Sequence, residues 1–190
     1  MGNERLPRRI AVVGTTGAGK TTLARTLAAQ LDVPHIELDS LHWEANWTPA
    51  PKEIFHRRVA QALSGEAWTT DGNYSELRDL TWGKADTVVW LDYSLPLVLS
   101  RVTRRTIRRS LRHEVLWDNN QEQLSRALSS RDSIVLYALK TYRRRRREYP
   151  ILFRQPRYAH LRVVHLASPR ATQEWLSSLP QPIDQGIDNR

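Results

Sequence analysis

The chain contains no cysteine, which excludes disulfides and cysteine-ligated zinc and leaves packing and hydrogen bonds to hold the fold. No apolar run reaches transmembrane length, so no segment reads as a membrane span. The first nine residues are polar and basic and lead straight into a short β-branched stretch, without the apolar region of a secretory leader. A cytoplasmic protein with no membrane partner is the expectation. Repeats and low-complexity linkers are missing too, apart from the five consecutive arginines at 143–147. Acidic residues are scarce in one quarter of the chain: residues 101–147 hold 13 Arg and 1 Lys against only Glu114, Asp118, Glu122 and Asp132. That quarter carries +10, while the whole chain carries +9. A surface for polyanions and a cluster closing over one small polyanion would both give this pattern.

What is present suits one domain: 190 residues, 40% of them hydrophobic, expected to fold over 1–180 with a flexible tail at 181–190. Residues 10–13 form an apolar β-branched run that ends at Gly14, the pattern of a buried parallel strand entering a tight turn. Leu23, Leu27 and Leu31 recur every four residues and predict a helix over 20–31. Further strands are expected at 34–38, 67–70, 87–91 and 161–166, with helices near 54–65, 96–112, 133–149 and 171–179. Pro150 should end the third of these helices. An aromatic loop at 41–51 lies within an acceptor-binding segment of about 39–66, and a short Arg-rich lid is expected at about 112–126. Alternating strands and helices predict an α/β three-layer sandwich, with a parallel sheet covered on both faces and ligands gathered outside the carboxyl ends of the strands.

The sharpest motif stands after the first strand. Gly14-Thr15-Thr16-Gly17-Ala18-Gly19-Lys20-Thr21 satisfies G-x-x-x-x-G-K-[ST] between a predicted strand and a predicted helix. Glycines let the backbone wrap a phosphate so that successive N–H groups and the helix N-terminus face the anion. Lys20 would reach the β and γ phosphates of ATP, the Thr21 hydroxyl would ligate Mg²⁺, and Thr22 would contact the α-phosphate.

Phosphoryl transfer also needs a carboxylate near the metal and a group to receive the acceptor's proton. Asp71, before Gly72 at the end of the third strand, is the metal-side candidate, with a turn aspartate as the alternative. Asp39, at the end of the second strand, is the candidate base, with a helix or turn cap as the alternative. Asp92 ends the fourth strand and reads equally as metal-side acid or structural group. His42 and Trp43 follow Asp39 and would contact an acceptor, unless the aromatics form a local plug. No second ligand stands near His42 at metal spacing. Arg101, Arg104, Arg105, Arg108 and Arg112 share one helix face and could close over phosphates, or form a solvated surface. The arginines at 143–147 point all round a helix, so at most two can face one ligand, and the run reads as a solvated face.

The order strand, GTTGAGKT, helix, LD, DG and VVWLDYSLPLVLSRVTRR resembles the adenylate kinase and shikimate kinase class of P-loop proteins. More narrowly, ELDSLHWEANW, WTTDGNYSEL, LWDNNQE and ALKTYRRRRREY are similar to segments of the bacterial DNA topology modulation protein family, and the likeness spans residues 9–179. The resemblance implies a five-stranded parallel sheet of order 2-3-1-4-5 and an ATP- and Mg²⁺-dependent phosphotransferase acting on a small-molecule acceptor. It implies Asp71 for the metal, Asp39 for the substrate, Arg101 against adenine, Arg105 on the phosphates and Arg170 beside adenine. Asn73 and Tyr74, after the DG pair, fall on the substrate side; monophosphate kinases usually carry a proline and an arginine there. A nucleic-acid-binding or regulatory ATPase is the alternative function, and an ATP sensor without turnover a third.

Overall fold

The structure is a computed structural model and describes residues 7–112 and 134–180. Along the chain run β1 (Arg9–Gly14), α1 (Lys20–Leu31), β2 (His35–Glu37), α2 (Leu38–His42), β3 (Trp43–Glu44), β4 (Thr48–Pro49) and α3 (Lys52–Ala62). There follow β5 (Trp68–Asp71), α4 (Arg78–Lys84), β6 (Thr87–Leu91), α5 (Leu95–Arg112), α6 (Ile134–Phe153), β7 (Arg162–Leu166) and α7 (Pro169–Ser178). Five strands form one sheet in the order β2-β5-β1-β6-β7, every pairing parallel. Counting only the five expected strands, this is the 2-3-1-4-5 order.

The sheet is covered on both faces because its central strands are apolar on both. Ile10 and Val12 of β1 pack with Leu23, Ala24 and Leu27 of α1 and Val98 of α5. Ala11 and Val13 turn the other way, towards Phe55 and Val59 of α3, Trp82 of α4 and Tyr149 of α6. In β6, Val89 and Leu91 join the first cluster and Val88 and Trp90 the second, the period-two alternation of a strand buried on both sides. The carboxyl ends of β1, β2, β5 and β6 therefore open together on one edge.

Three local expectations change. The aromatic stretch is not one loop: α2 follows β2 directly, and β3 and β4 make a small antiparallel hairpin around a 3₁₀ turn at Ala45–Trp47. A short helix, α4, stands after β5 where none was expected. Pro150 lies inside α6, which continues to Phe153. An internal proline costs about 3 kcal/mol, but the rings on either side of it are held: Phe153 stacks on Trp82 at 5.1 Å, and Tyr149 meets Trp82 and Trp90 edge-on at 5.6 Å each. Burying such rings returns more than the proline costs. The lid beyond Arg112 and the tail at 181–190 lie outside the described residues. No described helix is long and apolar enough to cross a membrane.

Candidate functional site

Residues 14–19 join β1 to α1 and leave the first turn of α1 without a side-chain cap. Its N–H groups therefore stay open at the positive end of the helix. Gly19 adopts φ 96°, ψ 24°, a left-handed conformation that suits glycine. Gly17 has φ +82°, and a Cβ there would strike Val102 of α5 and come within 2.8 Å of the Val98 carbonyl. The loop thus holds a shape that side chains would forbid. Lys20 Nζ lies 3.5 Å from the Thr15 carbonyl. Burial, and then the Arg145 charge, lower its pKa from 10.5 to about 8, against the opposing pull of Asp71 and Asp39.

The Thr21 hydroxyl donates to Asp71 Oδ2 at 2.6 Å, and the His35 ring holds Asp71 Oδ1 at 2.7 Å. Asp71 is only 4% exposed. A hydroxyl and a carboxylate side by side at the mouth of the cradle are the hard oxygen donors that Mg²⁺ takes from protein when phosphates and water supply the rest. The residues fit such an ion, although among the described residues no group of three or more His, Asp or Glu side chains forms a metal cage of its own.

Across the cleft, Asp39 sits in the first turn of α2 and its Oδ1 accepts from Tyr74 OH at 2.6 Å. The Tyr74 pKa is raised by burial first and by Asp39 second, so the phenol stays a donor. His42 packs against Trp43, Phe55 and Tyr74, with centroids 4.6 to 4.7 Å apart. Its pKa is lowered, chiefly by burial, and its Nδ1 is buried without a hydrogen-bond partner. Asn73 differs from the expectation of a substrate contact. Its amide accepts from the Gly14 N–H at 3.1 Å and donates to the Gly14 carbonyl at 2.8 Å. Tyr149 OH also donates to it at 3.1 Å. With those atoms engaged, Asn73 is a strut between the cradle and α6.

A cleft of about 1080 Å³ joins the loop and Lys20 to Asp71 and Asp39, and His42, Asn73 and Tyr74 are not on its lining. Thr16, Gly17, Ala18, Gly19, Lys20, Thr21, Thr22, Asp39, Trp43, Asp71, Arg101 and Arg105 all line it. Arg101 donates to the Ala18 carbonyl at 3.3 Å and covers the Tyr93 ring at 5.3 Å. Arg104, Arg108 and Arg109 extend the cationic wall of α5.

A family model described as an AAA domain matches residues 10–178 of this architecture. The chain belongs to the AAA domain family. A curated relative, shikimate kinase from Novosphingobium aromaticivorans, is 30% identical over 148 residues, 67% of this chain and 74% of the relative. Among solved structures, shikimate kinase from Acinetobacter baumannii in complex with shikimate aligns with TM-score 0.54 at 19% identity, over 92% of this chain and 90% of that one. A gluconokinase from Sinorhizobium meliloti 1021 aligns with TM-score 0.50 at 18% identity, over 92% and 94%. The fold of this AAA domain protein is that of the P-loop kinases.

One position expected beside a ligand is absent from the cleft lining of this AAA domain protein, and one read equally as metal-side acid or structural group is held by side chains. Arg170 is on an exposed face of α7, paired with Glu174 at 2.7 Å, and Pro169, Thr172 and Gln173 line the cleft instead. Asp92 takes the structural alternative, held by Arg146 at 3.0 Å and His165 at 3.1 Å. Two further residues join the site unforeseen. His35, the first residue of β2, fixes Asp71, and its place two residues before Glu37, on the same face of the strand, was the available signal. Arg145, from the run read as a solvated face, is 3% exposed, bonds to Thr141 Oγ1 at 3.2 Å and Tyr137 OH at 3.3 Å, and acts on Lys20 through its charge. Thr and Tyr at four and eight residues before it were the sign that this arginine turns inward.

Proposed function

We propose that this protein is an ATP- and Mg²⁺-dependent small-molecule kinase that phosphorylates a hydroxyl of its acceptor. The observation that carries the reading is one cleft holding an uncapped helix N-terminus with Lys20 on one side and, on the other, Asp39 steadied by Tyr74 from behind the lining. The relatives that are named kinases support it. The cytoplasm is the proposed location. The ELDSLHWEANW and WTTDGNYSEL segments support membership of the narrower DNA topology modulation family.

Backbone N–H groups of residues 15–20 would bind the β and γ phosphates, with Lys20 as point charge. Thr21 and Asp71 would hold Mg²⁺, which when bound draws charge from the phosphate oxygens. Asp39 takes the proton of the acceptor hydroxyl as that oxygen bonds to the γ-phosphorus, and the bond to the bridging oxygen breaks to leave ADP. Tyr74 keeps Asp39 turned into the cleft. Arg101 and Arg105 offset charge on the transferring group.

Labelled ATP and a panel of small hydroxyl compounds test this. Wild-type protein should pass the label to at least one compound, and Asp39→Asn should bind ATP within about twofold of wild type while transfer falls at least about 100-fold. Full transfer by Asp39→Asn would remove the assigned base. ATP binding with no transfer to any compound would contradict the kinase reading.

A further inference from the structure

We infer that a second pocket, outside the cleft and beside the Asn73 strut, is a binding site for a small oxyanion, a phosphate or a carboxylate. It has a volume of about 370 Å³ and shares no lining residue with the cleft. Arg78, the first residue of α4, lines it together with Arg144, Arg145, Glu148 and Tyr149 of α6. Residues four apart on a helix are neighbours, so these four α6 side chains form one continuous wall. Asn73 lines it too, and its bonds to Gly14 and Tyr149 tie the pocket to the cradle.

The pocket holds three guanidinium groups against one carboxylate, and that carboxylate is engaged: Glu148 pairs with Arg144 at 3.8 Å. Arg145 is only 3% exposed. Its hydrogen-bond partners are the hydroxyls of Thr141, Tyr137 and Tyr149, and among the described residues no carboxylate pairs with it. A buried cation is costly to hold without a counter-charge and is ordinarily matched by an acid. Arg78 also pairs with no carboxylate among the described residues. It lies over the Trp82 ring at 5.2 Å, a contact that holds the head group without using its N–H donors. Both charges act on Tyr149, so the two arginines converge on one phenol.

The missing partner is therefore an anion. A guanidinium presents planar, paired N–H donors that match two oxygens of a phosphate or carboxylate. An oxyanion between Arg78 and Arg145 gives both the counter-charge that the chain itself does not supply there. A neutral ligand would leave the cations unmatched, and a cationic one would be repelled. The volume stands at the lower end of small-molecule pockets, which run from about 300 to 1,000 Å³, so it admits a small anion and not a duplex.

Arginine side-chain Nε–Hε signals in ¹H–¹⁵N NMR report the site directly, with inorganic phosphate titrated at constant ionic strength. The Arg78 and Arg145 signals, identified by their loss in Arg78→Gln and Arg145→Gln, should move together and saturate. Phosphate affinity should fall at least about tenfold in Arg78→Gln but stay within about twofold in Arg143→Gln, which removes the same charge from outside the lining. Arg78 is partly exposed, so its variant keeps the test open if Arg145→Gln fails to fold. In Lys20→Ala the two signals should still saturate. Glycerol 3-phosphate beside phosphate, and D-gluconate beside acetate, separate the sources: tighter binding of the larger molecule assigns an anion carried on carbon, and equal or weaker binding a free ion. Signals that drift without saturating, equal weakening by Arg143→Gln and Arg78→Gln, or saturation lost with Lys20 would overturn the inference. Saturation here by a protein that binds no triphosphate would instead contradict the kinase reading and leave this site standing.

Discussion

Lys20 meets two opposed demands. In the proposed role it must carry a proton to hold phosphate, yet burial and the Arg145 charge lower its pKa to about 8. The charged form is thus disfavoured in the folded, nucleotide-free protein, and binding ATP must recover a proton once the pH passes that value. ATP affinity should hold steady between about pH 6 and 7.5, then weaken by up to about tenfold per pH unit above about 8. Arg145→Gln removes one of the lowering charges and should move the break to higher pH. Calorimetry across pH checks both, and an affinity flat to about pH 9.5 would show that the Lys20 proton is not linked to binding. The same shift gives the free protein stability that rises from about pH 8 towards 10.5, since the unfolded chain then binds the extra proton.

The elements depend on struts as much as on packing. Asn73, from the loop after β5, pairs with both polar groups of the Gly14 backbone and takes a third bond from Tyr149 of α6. Asn73→Ala removes all three, each worth about 0.5–1.5 kcal/mol. The melting temperature should fall by several degrees and ATP should bind more weakly, while Tyr149→Phe, which loses one bond, should do less. An Asn73→Ala protein with wild-type ATP affinity would show that the strut does not shape the cradle. The elements also differ in how readable they were. β1 and β6 announce themselves through runs such as Ile10-Ala11-Val12-Val13, because a strand buried on both faces needs apolar side chains throughout. The hairpin of β3 and β4 has no such period. Its form depends on Arg58 reaching across from α3 and on left-handed backbone at Asn46 and Trp47. The end of α6 misled for a related reason: Pro150 is a local stop signal, but Trp82 and Trp90, distant in sequence, hold the turn beyond it.

Over the whole molecule, the parallel sheet brings the ends of β1, β2, β5 and β6 to one edge, and with them Lys20, Asp39, Asp71 and the α5 arginines. That convergence was legible, because strand-end acids and a glycine-rich turn follow from alternating strand and helix signals. The division of the positive charge was not. In the sequence the five arginines at 143–147 look alike, but the fold turns Arg145 inward, ties Arg146 to Asp92 and leaves Arg143, Arg144 and Arg147 exposed. Thr141 and Tyr137 of the same helix hold Arg145, while Asp92, just after β6, holds Arg146. Every proposed catalytic role rests on that edge gripping a triphosphate. Calorimetric titration of the purified protein with ATP, with and without Mg²⁺, beside Lys20→Ala tests this most directly. The account predicts saturable, magnesium-dependent binding that Lys20→Ala largely abolishes. No binding of any nucleoside triphosphate, or equal binding by Lys20→Ala, would contradict it.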